Sequence, residues 1–131
     1  MNKLDRDSVI GISALLVHAA KIDEKYSQYE KDLILNFIKS YIENKDVAEI
    51  LEKAEEIEKN SNQLLGFTNI IKRKTMDIKK DIIKNLWKVI ISDNTVDQYE
   101  SNLMRRVCGL IYFPDKLSGE IKLKLKEELK N

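Results

Sequence analysis

Apolar residues recur along this chain at the spacing of an α-helix, and nothing interrupts them for long. Ile12, Leu15, Leu16, Ala19 and Ile22 follow the i, i+3, i+4, i+7 rule, so residues from Ser8 to Ile22 make a first amphipathic helix. Leu33, Ile34, Phe37, Ile38 and Tyr41 make a second. Asp46-Val47-Ala48-Glu49 reads as a capping box, with the Asp carboxylate taking the N3 amide and Glu49 reaching back, so a third helix starts there and runs to Glu58. Ser61 is placed to cap a short fourth helix in NQLLGFTNIIKR. The fifth, IKKDIIKNLWKVIIS, is apolar on most of its circumference, which predicts a central position. A sixth follows Asp97, and Pro114 with Asp115 closes it before a last, lysine-rich helix. No alternating strand pattern interrupts the series. The expected fold is an all-α bundle of about seven helices.

Glycine occurs four times and proline once, and no low-complexity run divides the pattern, so residues 1–131 are expected to form one domain. That length buries a continuous core without staples. One cysteine excludes an internal disulfide, and with one histidine it cannot build a Cys/His zinc site, which fits a reducing cytosol. The apolar N-terminal stretch is interrupted by Ser13 and His18 and falls short of the roughly 20 apolar residues that span a bilayer. Neither a signal peptide nor membrane insertion is expected, and the expected location is the cytoplasm.

Within this pattern the chain repeats itself. IDEKYSQYEKDLI returns seventy residues later as SDNTVDQYESNLM, so that Asp23 answers Asp93, Gln28-Tyr29-Glu30 answers Gln98-Tyr99-Glu100, and Leu33 answers Leu103. Each copy reads as the end of one helix, a short loop and the start of the next. Ser27 with Glu30, and Asp97 with Glu100, have the spacing of capping boxes. Capping leaves Asp23 and Asp93 unexplained. A carboxylate at the end of the preceding helix faces the negative end of its dipole, at a cost of about 0.3–1 kcal/mol when exposed. An Asx-turn, the positive start of the next helix or a bound cation would each offset that cost. Asp93, Asp97 and Glu100 supply three hard carboxylates over eight positions, the ligand type of calcium, magnesium or manganese, although the spacing is too short for an EF-hand. The residues alone leave capping and cation binding both open. The copy with Asp23 and Glu30 is the weaker candidate, because Ser27 stands where the other has Asp97.

Charge is segregated beneath a net charge of +1. From Glu43 to Lys59 there are seven acidic residues against three basic, and from Lys72 to Lys88 seven basic against two acidic. Blocks of this kind are usually solvated helix faces. KRKTMDIKKDIIK lacks the interleaved aromatics of a nucleic-acid surface, so no nucleic-acid partner is expected. His18, at the edge of the first helix's apolar face, reads as a packed or hydrogen-bonded residue. Cys108, among Val107, Leu110 and Ile111, reads as a small core hydrophobe, and Trp87 as a core anchor. No nucleophile and base pair in a known motif, and no P-loop, dinucleotide fingerprint or HExxH is present, so the chain is expected not to be an enzyme.

The repeated loop, the LLVHAAKID before its first copy, LLGFTNII midway and above all LWKVIISDNTVDQYESNLMRRVCGLI resemble the tellurite-resistance TerB-like family, from about Ile10 to Lys124. The resemblance implies a helical bundle of two pseudo-symmetric halves, an acidic cluster proposed to bind metal ions, and roles in stress or metal-oxyanion tolerance. The superfamily also includes the N-terminal domain of membrane-anchored J-domain co-chaperones. Its acidic pattern falls on Asp93, Asn94, Asp97 and Glu100, and in the first half on Asp23, Glu24, Ser27 and Glu30, without the family's glycine in either copy. The expected metal residues are therefore Asp93, Asp97, Glu100, Asp23 and Glu30. A protein partner and a monomeric or weakly dimeric state are expected. The alternative is a protein-interaction domain in which these residues are caps alone.

Overall fold

In a computed structural model, residues 4–22, 26–61, 64–91 and 98–130 are described, and they form seven α-helices with no strand among them. These are α1 (Arg6–Ala20), α2 (Gln28–Lys39), α3 (Val47–Asn60), α4 (Leu65–Lys72), α5 (Met76–Ile90), α6 (Gln98–Leu110) and α7 (Asp115–Lys130). The all-α bundle is as the periodicity predicts. No described helix is long and apolar enough to cross a membrane.

The repeat reaches further than its loops. α1 and α5 begin and end seventy residues apart, at Arg6 and Met76 and at Ala20 and Ile90. Their caps match as well. Asp5 Oδ1 accepts the Ser8 amide at 3.1 Å, and Thr75 Oγ1 accepts the Ile78 amide at 3.3 Å. α2 and α6 then start at Gln28 and Gln98, so the halves are α1-α2-α3 and α5-α6-α7, with α4 between them. At both loops the helix breaks, as the helix-loop-helix reading requires.

The centre of the bundle differs from the sequence expectation. α1 packs against α2, α3, α4 and α5 and has twelve of its fifteen residues buried, whereas α5 has eight of fifteen. Small residues explain the difference. Gly11, Ser13, Ala14, Ala19 and Ala20 let neighbours approach from every side, and a Cβ on Gly11 would run into the Ile70 side chain of α4. α5 instead keeps lysines on its outer surface.

Two helix starts also differ. Asp46 is the last residue of a single 3₁₀ turn (Asn44–Asp46) and lies in the right-handed helical region, so its side chain makes no cap and instead pairs with Arg6 at 3.6 Å. An N-cap needs extended backbone, which the 3₁₀ turn denies it. Ser61 ends α3 in an extended conformation and does not cap α4, which starts after Leu64 without a side-chain cap. The end of α6 carries the described chain's one non-glycine residue at positive φ, Tyr112 (φ 58°). The Phe113 amide returns to the Cys108 carbonyl at 2.9 Å, closing the helix in a Schellman turn before Pro114.

Candidate functional site

Of the five predicted metal residues, Asp23, Asp93 and Asp97 lie outside the described residues, leaving Glu30 and Glu100. Both are buried, at 5% and 3% exposure, in the first turns of α2 and α6. Glu30 closes the expected capping box. Its Oε1 accepts the Ser27 amide at 2.8 Å and the Ser27 hydroxyl at 3.0 Å, while the Glu30 amide donates to Ser27 Oγ at 3.2 Å. Local sequence accounts for this geometry, since Ser27 is extended (φ −81°, ψ 165°) as a cap must be. It does not account for the burial. A carboxylate in a capping box ordinarily sits at the surface, and enclosing one costs free energy unless hydrogen bonds or opposite charge surround it.

Around Glu30 the ends of α1 and α3 supply a polar network. Glu58 of α3, itself nearly enclosed, accepts from Lys21 Nζ at 2.9 Å and stands 3.2 Å from His18 Nδ1. Lys31 approaches Glu55 at 3.9 Å. Between them lies Tyr26, with the ammonium groups of Lys31 and Lys21 at 5.0 and 5.9 Å from its ring centre. Its hydroxyl is enclosed beside the Glu55 carboxylate without closing a well-formed hydrogen bond. Burial, then the Glu55, Glu30 and Glu58 carboxylates, push the Tyr26 hydroxyl far above its ordinary pKa, so it remains a neutral donor. His18 is thus the hydrogen-bonded residue the sequence suggests. Tyr26, Glu55 and Glu58 carry no sequence signal of their association, because α1 and α3 bring their tails together across about forty residues of chain.

The second loop is described only from Gln98 onward. Behind it, Trp87 is the expected core anchor, 4% exposed, with its Nε1 donating to Ser118 Oγ at 2.9 Å and Lys122 Nζ 5.0 Å from its ring centre. Cys108 is buried beside it, and burial pushes its thiol pKa up, as suits an inert core residue.

Chemically, Glu30 and Glu100 offer hard oxygens, which suit calcium, magnesium or manganese. Among the described residues no three His, Cys, Asp or Glu side chains converge as a metal cluster. A cation at either loop therefore needs the loop aspartates beside the glutamate: Asp23 with Glu30, or Asp93 and Asp97 with Glu100.

No curated protein and no solved structure matches this chain. The family model described as tellurite resistance protein TerB matches residues 10–123, which takes in α2 to α6 entire, most of α1 and the first half of α7. With that span matched, and with paired helical halves carrying the repeated glutamates, the chain belongs to the TerB family.

Proposed function

We propose that this chain is a non-enzymatic, cytoplasmic module of the tellurite-resistance kind whose two acidic loops bind divalent cations, the loop of Asp93, Asp97 and Glu100 more tightly than that of Asp23 and Glu30. The observation that carries the reading is the matched burial of Glu30 and Glu100 at equivalent places in the two halves. Capping alone would favour a glutamate at each position but not its enclosure. A cation beside an enclosed carboxylate would offset part of the cost of its desolvation. The stronger loop has the larger number of carboxylates, and affinity for hard cations rises with ligand charge.

The test is a calorimetric or NMR titration of the whole chain with calcium, magnesium and manganese. Weak binding is expected, on the order of 0.1–1 mM, centred on the second loop. Asp97→Asn with Glu100→Gln keeps both halves of a capping box and removes two charges, so it should abolish that binding while costing roughly 0.3–1 kcal/mol of stability. A wild type unaffected by millimolar ions would leave the residues as caps.

A protein-interaction role is favoured by a different observation. An open hollow of about 700 Å3 between α1, α3 and α4 has Ile10, Gly11, Ile57, Phe67 and Ile70 in its walls. Partners recovered equally well with and without chelator would support that role over the cation.

A further inference from the structure

α5 and α7 enclose a groove made of two adjoining hollows of about 180 and 310 Å3 that share Leu125 and Glu128 as a common wall. Its apolar lining comes from Leu33, Ile91, Ile121 and Leu125. Lysines 80, 84 and 88 run along one edge at i, i+4, i+8, with Lys124 opposite. None of these four ammonium groups forms an ion pair with a described carboxylate. Of the two acids in the lining, Asp81 is already engaged by the Tyr41 hydroxyl at 2.6 Å and Asn85 Nδ2 at 3.3 Å, which leaves Glu128. The groove is apolar within and positive at its rim.

Elsewhere the same chain presents the opposite surface. On α3, Glu49, Glu52 and Glu56 are exposed at i, i+3, i+7, and Ile57 beside them is 44% exposed. Glu49 is held by Arg6 and Lys53, but neither Glu52 nor Glu56 has an ion-pair partner among the described residues. At 1.5 Å per residue the acidic stripe is about 10 Å long and the lysine stripe about 12 Å, so the two match in length as well as sign. A net charge of +1 means that two copies meet without overall repulsion.

We propose that α3 of one copy docks in the α5–α7 groove of a second, with Glu52 and Glu56 against the lysine rim and Ile57 on the apolar lining. Because groove and helix are different surfaces, the contact is head to tail and a pair keeps one free groove, on one copy, and one free α3, on the other. A single-helix contact is small, so association is weak and depends on charge.

Sedimentation velocity of the full chain from about 10 to 500 µM tests this, since small interfaces of this kind associate weakly. At low salt the mean sedimentation coefficient should rise with concentration, and at about 0.5 M salt, where the Debye length is well under 10 Å, the rise should vanish. Lys84→Glu with Lys88→Glu removes the groove, and Glu52→Gln with Glu56→Gln removes the helix. Each pair should weaken self-association at least roughly tenfold. Both sets are surface changes, and an unchanged circular dichroism spectrum certifies the fold. Mixing the two variants restores association, but only as far as dimers, because one copy offers only α3 and the other only a groove. A wild type that stays monomeric at low salt, variants that associate as the wild type does, or a mixture that stays monomeric would each overturn the proposal. A monomeric wild type that binds an acidic helical peptide would assign the groove to another partner.

Discussion

α1 and α5 stand at equivalent places in the two halves, yet only their inward sides are alike. Ile12 and Ile82 are both fully buried, as are Leu16 and Leu86, seventy residues apart. Outward they part company. Leu15 is fully buried where Asn85 is half-exposed and hydrogen-bonded to the Asp81 carbonyl, and where Val9 is fully buried Lys79, itself only 8% exposed, carries an ammonium group. The cause lies in the neighbours. α1 is covered by α2, α3, α4 and α5, whereas α5 is covered by α1, α2 and α7. The duplicated pattern therefore specifies which side of each helix meets the core, and the packing of the other helices decides how far around the apolar surface extends.

Exchanging residues between Val9 and Lys79 gives the largest effect. Val9→Lys encloses an ammonium group at a position with no exposure, at about 3–5 kcal/mol or more, a large part of the roughly 5–15 kcal/mol that stabilises a domain. Urea unfolding followed by circular dichroism should find it severely destabilised or unfolded. Lys79→Val should change stability by less than about 1 kcal/mol, because the helix already packs there and only the lysine head is lost. Equal costs for the two substitutions would mean that the two positions receive an ammonium group alike.

The same contrast explains what the sequence could and could not reveal. Helix number, the breaks near Asp23 and Asp93 and the Ser27–Glu30 cap are legible because each depends on residues a few positions apart. Periodicity points to α5 as the centre because it registers large apolar side chains, and α5 has Ile78, Ile82, Ile83, Leu86 and Trp87. It does not register what Gly11, Ala14, Ala19 and Ala20 do, which is to let helices close on α1 from several directions. Asp46 shows the same limit, since Asp-x-x-Glu gives the side chains for a capping box but not the extended backbone on which one depends. Burial of Glu30 and Glu100 is equally hidden, because the spacing of nearby residues does not register how the rest of the fold covers a side chain.

The helix ends offer a smaller contrast. α2 closes without left-handed backbone, its C-cap Ser40 donating its hydroxyl to the Phe37 carbonyl at 2.6 Å, and the chain continues through half-buried Ile42. Seventy residues on, Tyr112 takes the left-handed position at which glycine is favoured, 66% exposed with Lys72 Nζ 4.9 Å from its ring centre. Left-handed backbone costs about 1–2 kcal/mol for a residue with a Cβ, partly offset by the Lys72 contact and by the unfolded-state entropy glycine brings. Tyr112→Gly should therefore stabilise the chain by up to about 1 kcal/mol, while Ile42→Gly destabilises it by about as much or more. Denaturant midpoints of the two variants check the signs.

The smallest effect concerns the caps, where Asp5 titrates and Thr75 does not. The Ser8 hydroxyl, helped by the Ser8 amide, holds the Asp5 carboxyl below its ordinary value of 3.8 against an opposing cost of desolvation. A carboxyl whose folded pKa is depressed stabilises the fold fully above its unfolded value, and that contribution is lost as pH falls through the lower folded value. The first half thus carries an acid-labile cap and the second, through Thr75 and the Ile78 amide, a cap indifferent to acid. Asp5→Thr should leave stability at neutral pH within a few tenths of a kcal/mol, because threonine caps only slightly less well than aspartate. Between pH 5 and pH 2.5 the variant should lose less stability than the parent, a difference of about 1–2 degrees in Tm given that Asp5 is exposed and its interactions are screened. Parallel acid limbs in thermal melts would mean that the Ser8 hydrogen bonds do not distinguish carboxylate from hydroxyl, and that the two caps are interchangeable despite their chemistry.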